Sequence, residues 1–135
     1  MKIRKIKCPL DKKHLKSQIM SLIHELIVLR DGEKCLRCGK TERLQMSHIY
    51  PRGRYGRMAL DPDNIKLLCF ACHLCWYHKN PIEAKDWLDS VIPKKRLQRL
   101  KLMSLDSSPN RLDRKLLKIY LESEIKRLKA YPQSR

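Results

Sequence analysis

A chain of 135 residues with 42% apolar side chains is long enough for one modest core and too apolar to stay disordered. Its 31 Lys+Arg against 14 Asp+Glu give a net charge of +17, which argues against a cationic partner and for a polyanion, DNA or RNA, bound in a salt-sensitive way. No run approaches the roughly 18 uninterrupted apolar residues of a membrane span, so the sequence points to a soluble intracellular protein, in which cysteines serve as metal ligands more often than as disulfides.

Residues 1–13 read as a basic arm, with Pro9 as a stop. From Ser17 to Arg30, apolar residues at Ile19, Leu22, Ile23, Leu26, Ile27 and Val28 predict a helix, with Ser17 as N-cap and Gly32 as terminator. His14 and His24 read as surface or packed residues. "EKCLRCGKTERLQMSHIY" brings a CxxCG knuckle, a polar turn and a short strand from Leu44 to Tyr50. "PRGRYGRMALDPDN" reads as a loop, "IKLLCF" as a second strand over Ile65–Cys69, and Phe70–Lys79 as a helix. Beyond Pro81, "IEAKDWLDSVI" and "KKRLQRLKLMSL" form two short helices broken by Pro93. The polar segment 106–110 then caps a last helix with an apolar stripe of Leu112, Leu116, Ile119, Leu121, Ile125 and Leu128. Trp76 and Trp87 read as core anchors. The organisation expected is a basic arm and helix over 1–34, a core over 35–90, and basic helices over 91–135 that pack on the core and contact DNA. The last segment is the most basic, with 13 Lys+Arg against 4 Asp+Glu.

Cys35-x2-Cys38 and Cys69-x2-Cys72 each let a tight turn aim two thiolates at one ion, and together they predict a closed, tetrahedral structural Zn²⁺ site. Cys72-x2-Cys75 is a competing pair. Cys69 and Cys72 are preferred because one ends a strand and the other begins a helix. Cys8 and Cys75 are then ordinary thiols.

Strand, loop, strand and helix place His48 at the end of the first strand, Asn64 before the second, and His73 in the first helical turn. The run "CLRCGK…SHIYPRG…DPDNIKLLCFACH" resembles the HNH endonucleases of the ββα-metal type, in their zinc-stapled branch, and phage recombination proteins of the NinG kind. The resemblance covers about Cys35 to Trp87. It implies an α+β fold with a small ββα-metal core, flanked by helices, and a metal-dependent DNA endonuclease that nicks or cuts phosphodiester bonds. By this resemblance His48 is the general base, Asn64 the side chain that braces the loop and orients it, and His73 a ligand of a catalytic divalent ion, Mg²⁺ or Mn²⁺. It also implies a phage or bacterial host cytoplasm.

Ser47 departs from the pattern, because many members place an acid or histidine before the base as a second ligand. His78 in "WYHKNP" is the expected replacement, although five residues from His73 is awkward spacing for one helix face. Arg52, Arg54 and Arg57 stand beside the proposed base and suit a bidentate grip on DNA phosphate, with double-stranded DNA the expected partner. A zinc-stapled protein that binds nucleic acid without cutting is the alternative, and Ser47 favours it. Whether the chain acts as a monomer or a homodimer is left open by the sequence.

Overall fold

The computed structural model describes residues 9–109 and 111–132; Cys8 and most of the basic arm lie outside them. Helix α1 runs from Pro9 to Asp31. It therefore begins well before Ser17, which is an exposed interior residue and not a cap. Pro9 does not act as a stop: it and the residues after it are helical. Gly32 ends α1 as expected: its φ of 87° is in the left-handed region and its N–H donates to the Val28 carbonyl at 2.8 Å.

Strand β1 spans Leu44–His48 and β2 spans Ile65–Cys69, paired antiparallel with Leu44 opposite Cys69 and His48 opposite Ile65. β1 stops two residues short of Tyr50 because the backbone N–H and carbonyl of Tyr50 bond to the Asn64 side chain. All five residues of β2 are buried. Ile65 and Leu67 join Ile19, Ile23, Leu26 and Ile27 of α1 in the main core. Leu68 and Cys69 join Cys35 and Cys72 in a second cluster covered by Trp87.

A π-helix follows over Ala71–Tyr77, then α2 (Pro81–Val91), α3 (Lys94–Leu105) and α4 (Arg114–Ala130). α4 packs chiefly on α1 and closes the core with Leu121 and Ile125. Its cap is Asp113, whose side chain accepts from the N–H groups of Lys115 and Leu116, and not the polar segment expected to provide it. The stripe is also rotated from the one expected. Leu117, Leu121, Ile125 and Leu128 face the core, whereas Leu112, Leu116 and Ile119 are exposed. Helices and one small antiparallel sheet make this an α+β architecture. No helix among the described residues is long and apolar enough to cross a membrane.

Candidate active site

The two cysteine pairs converge. The ligand atoms of Cys35, Cys38, Cys69 and Cys72 all lie within 4.8 Å of one another, and three of the four residues are buried. Gly39, at φ 78°, lets the first knuckle turn back so that its N–H reaches the Cys35 carbonyl at 2.9 Å. The Leu36 N–H donates to the Leu67 carbonyl at 2.9 Å, tying the knuckle to β2. Cys75 is exposed and outside the cluster, so the competing pair is not formed. Four thiols are the donor set of a structural Zn²⁺ site, and the cation is what allows them all to ionise together. Against burial, backbone hydrogen bonds around the knuckle bring the Cys35 thiol down to about 7. Burial, with its neighbouring thiols, raises that of Cys72. Arg37 lies against this centre, with its Nη1 3.6 Å from Cys72 Sγ and its guanidinium 3.7 Å above the Trp76 ring.

At the other end of the sheet, His48 is half-buried and its Nε2 lies 2.9 Å from the Ala59 carbonyl. A carbonyl only accepts, so Nε2 carries the hydrogen and Nδ1 is the nitrogen free to take a proton. Burial lowers the His48 pKa below its usual 6.5, and the nearby cations Arg52 and Lys66 act in the same direction. The ring is therefore neutral at pH 7, the state a base requires.

Asn64 is wholly buried. Its Oδ1 accepts from the Tyr50 N–H at 2.7 Å, and its Nδ2 donates to the carbonyls of Tyr50 at 3.0 Å and Met58 at 3.1 Å. Met58 and Ala59 are adjacent, so the asparagine pins the peptide next to the carbonyl that aims His48. The 61–65 segment around Asn64 is itself held by two arginines that no sequence motif marks. Arg30 donates to the carbonyls of Pro62 and Ile65 at 2.9 and 2.8 Å, and Arg96 to those of Asp63 and Ile65 at 2.6 and 3.1 Å.

The five-residue spacing of His73 and His78 is resolved by the helix type. In a π-helix the hydrogen bond runs from residue i+5 to residue i, and the His78 N–H donates to the His73 carbonyl at 3.2 Å. Residues five apart then stack. The two Nε2 atoms stand 2.9 Å apart and the ring centroids 4.7 Å apart. His73 Nδ1 donates to Gln45 Oε1 at 2.8 Å, which leaves its Nε2 bare and pointed at His78. Nothing in the sequence signals Gln45, because only the strand register brings it across to the helix. Two imidazole nitrogens this close, one with its tautomer fixed, form a fit pair for one divalent ion. Burial lowers the His73 pKa, helped by His78, Lys66 and His48.

Ser47 faces elsewhere. It is 1% exposed and accepts a hydrogen bond from Lys66 Nζ at 3.1 Å, directly across the strand pair. Lys66 is absent from the site expected above, although a lysine inside the apolar run "IKLLC" is an anomaly that the sequence displays. It is fully buried, with Nζ 3.4 Å from the His48 carbonyl and 3.8 Å from the centre of the Tyr77 ring. Burial, and then Arg96, bring its pKa down to about 7. Tyr77, pushed up to about 12 by burial, keeps its proton and donates to the same His48 carbonyl at 3.3 Å.

Of the three loop arginines, Arg52 and Arg54 are exposed. Arg57 is engaged: it pairs with Asp106 and donates to the Ser108 hydroxyl at 2.7 Å, and to the carbonyls of Ser108 and Pro109 at 2.8 and 3.1 Å. It ties the loop to the α3–α4 connection.

No curated protein and no solved structure matches the chain. A family model does match, that of the HNH endonucleases, over residues 35–79, from the first knuckle cysteine to the residue after His78. With its four cysteines gathered as a candidate zinc site, the Cys35–Lys79 segment is similar to the HNH endonucleases of the zinc-stapled kind.

Proposed function

We propose that the protein is a metal-dependent DNA endonuclease of the HNH type, with His48 as general base. The observation that carries the reading is the His48–Ala59 hydrogen bond, which places the ring hydrogen on Nε2 and leaves Nδ1 as the open nitrogen, while burial outweighs that bond and lowers the pKa. In hydrolysis a water oxygen bonds to phosphorus, the bond from phosphorus to the 3′ oxygen breaks, and the water's proton passes to His48 Nδ1. Asn64 keeps the Ala59 side of the loop in place, so the ring does not turn away. His73 and His78 would hold a divalent ion, which when bound polarises the phosphate and stabilises the leaving oxygen. Imidazole ligands suit transition ions better than Mg²⁺, so Mn²⁺ is the better candidate of the two expected ions. Arg52 and Arg54 would contact phosphate from the exposed loop, and Arg57 would do so by exchanging its bond to Asp106. The basic helices after Pro93 would extend the grip along the duplex without reading sequence.

One observation favours the second reading, binding without cleavage. Among the described residues no Asp or Glu joins His73 and His78 in a group of three or more metal-ligating side chains, and Ser47 is turned to Lys66. Supercoiled plasmid separates the two. Wild type should relax or linearise it with Mn²⁺ and not with EDTA, whereas His48→Ala should lose cleavage and keep salt-sensitive binding. Equal cleavage by His48→Ala, or no cleavage by wild type with any divalent ion, would refute the nuclease reading.

A further inference from the structure

Across the strand pair from Ser47, the position at which an acid would be expected, the molecule buries the amine of Lys66. Lys66 Nζ is held by the Ser47 hydroxyl at 3.1 Å, the His48 carbonyl at 3.4 Å and the face of the Tyr77 ring at 3.8 Å. Among the described residues no carboxylate pairs with it. Burying an ammonium against one hydroxyl, one carbonyl and a ring is costly, and a lysine whose only task was to fill space there would be outperformed by methionine. Its three contacts lie on β1, which carries the base, and on the π-helix, which carries His73 and is capped by His78. The Tyr77 ring beneath the ammonium is in turn 5.6 Å from the His78 ring.

The electrostatic consequence follows from the ligand set. Imidazoles bind a metal as uncharged ligands, no carboxylate joins His73 and His78 among the described residues, and the Lys66 amine, charged at pH below about 7, lies one aromatic ring away. A divalent cation approaching this pair alone meets repulsion without compensation. A phosphodiester arriving first reverses the sign, because its oxygens are both the missing anionic ligand and a counter-charge for the ammonium. We infer that Lys66 is a positioning residue that makes divalent-ion binding conditional on bound DNA, so that the site takes up its ion together with the substrate phosphate. The inference rests on the endonuclease reading for its substrate. By linkage, the ion must then tighten DNA by the same factor that DNA tightens the ion.

The test uses the full chain in a His48→Ala background, so that DNA is bound without being cut. Mn²⁺ binding is followed by the EPR signal of the free ion at pH 6.5, without and with a saturating short duplex, and a duplex-only blank removes ions held by DNA itself. We expect the duplex to tighten Mn²⁺ by about ten-fold or more. Fluorescence anisotropy should show DNA tightened by Mn²⁺ to the same extent. K66Q keeps a donor to Ser47 and removes the charge. It should bind Mn²⁺ more tightly than its parent without DNA and lose most of the coupling, whereas K66R should retain the coupling. K66M, which needs no hydrogen-bond partner, replaces K66Q if the latter does not fold. Equal Mn²⁺ affinity with and without duplex, or full coupling in the uncharged variants, overturns the proposal. Coupling in this background, combined with no plasmid cleavage by the protein that retains His48, would overturn the nuclease reading alone. No Mn²⁺ binding under either condition would overturn both.

Discussion

Asn64 is the residue whose removal has the most computable consequence. It is wholly buried and makes three hydrogen bonds, two of them to a half-buried Tyr50 and one to the carbonyl of buried Met58. A net hydrogen bond contributes about 1 kcal/mol, and a buried group left unpaired costs ~1–3 kcal/mol. In Asn64→Ala, Tyr50 is close enough to solvent to recover part of its loss and Met58 is not, so the expected destabilisation is about 3 kcal/mol. Asn64→Asp should be worse at neutral pH, about 4–5 kcal/mol, because it sets a carboxylate against two carbonyls that need a donor. The sign with pH is fixed. A carboxyl in that position has its folded pKa raised above its unfolded value, so the aspartate variant recovers stability relative to wild type as pH falls from 7 toward 5, when the protonated acid can donate to one carbonyl. Urea unfolding of the zinc-loaded protein at both pH values measures these differences. If both variants lie within ~1 kcal/mol of wild type, Asn64 is an ordinary turn former, and the account of how His48 is aimed is wrong.

Three further outcomes follow from the same geometry. Gln45→Leu removes the acceptor that fixes the His73 tautomer and should weaken Mn²⁺ binding in the presence of DNA by about 10–100-fold, read by calorimetry, with little change in melting temperature. Lys66→Met should stabilise the fold. A lysine brought from 10.5 down to about 7 has lost ~5 kcal/mol of preference for its charged form, and after lost hydrogen bonds about 2 kcal/mol should appear as a gain at pH 7. Because the unfolded lysine holds its proton up to 10.5 and the folded one does not, wild type should gain on the variant by ~1.4 kcal/mol per pH unit between pH 7.5 and 9.5; parallel pH profiles would contradict a buried charge. The rate of plasmid nicking at saturating Mn²⁺ should rise through a midpoint below pH 6.5 and then level off, since the base must lose its proton and burial has lowered that pKa. A midpoint above 7 would assign the limb to another group.

Those elements of the site that rest on local spacing are legible in the sequence. The paired CxxC motifs identify the four-thiol cluster because a knuckle turn is a property of four consecutive residues. The second strand is legible because a short apolar run ending in a knuckle has few alternatives. What escapes the sequence depends on contacts made only after folding. Gln45 and Lys66 gain their partners from strand register, which one sequence does not fix. Arg30 and Arg96 look like surface charge on basic helices, yet they hold the backbone around Asn64. The outer stripe of α4 competes with the inner one because Leu116 and Ile119 have helical spacing with Leu112, and only docking on α1 selects Leu117 and Leu121 as the inner face. The helical character of residues 9–16 is obscured for a different reason: their apolar spacing is sparse, and a proline read as a stop hides a segment that continues the helix toward Ser17.

The widened helix of Ala71–Tyr77 also makes chain length a constrained quantity. Each residue removed from an α-helical path rotates everything downstream by about 100°. A one-residue deletion between His73 and His78 would put the two histidines four apart, a spacing at which ordinary helix neighbours still meet. The pair could thus survive the deletion. Trp76 beneath Arg37 and Tyr77 beneath Lys66 would not keep their places, since both are set by the present phase. This helix and its cap serve the thiol cluster through Cys72, the buried lysine through Tyr77, and the histidine pair through His73 and the capping His78. Relatives of this chain should therefore tolerate substitutions at exposed Leu74 and Cys75 far better than any change in the number of residues between the two histidines.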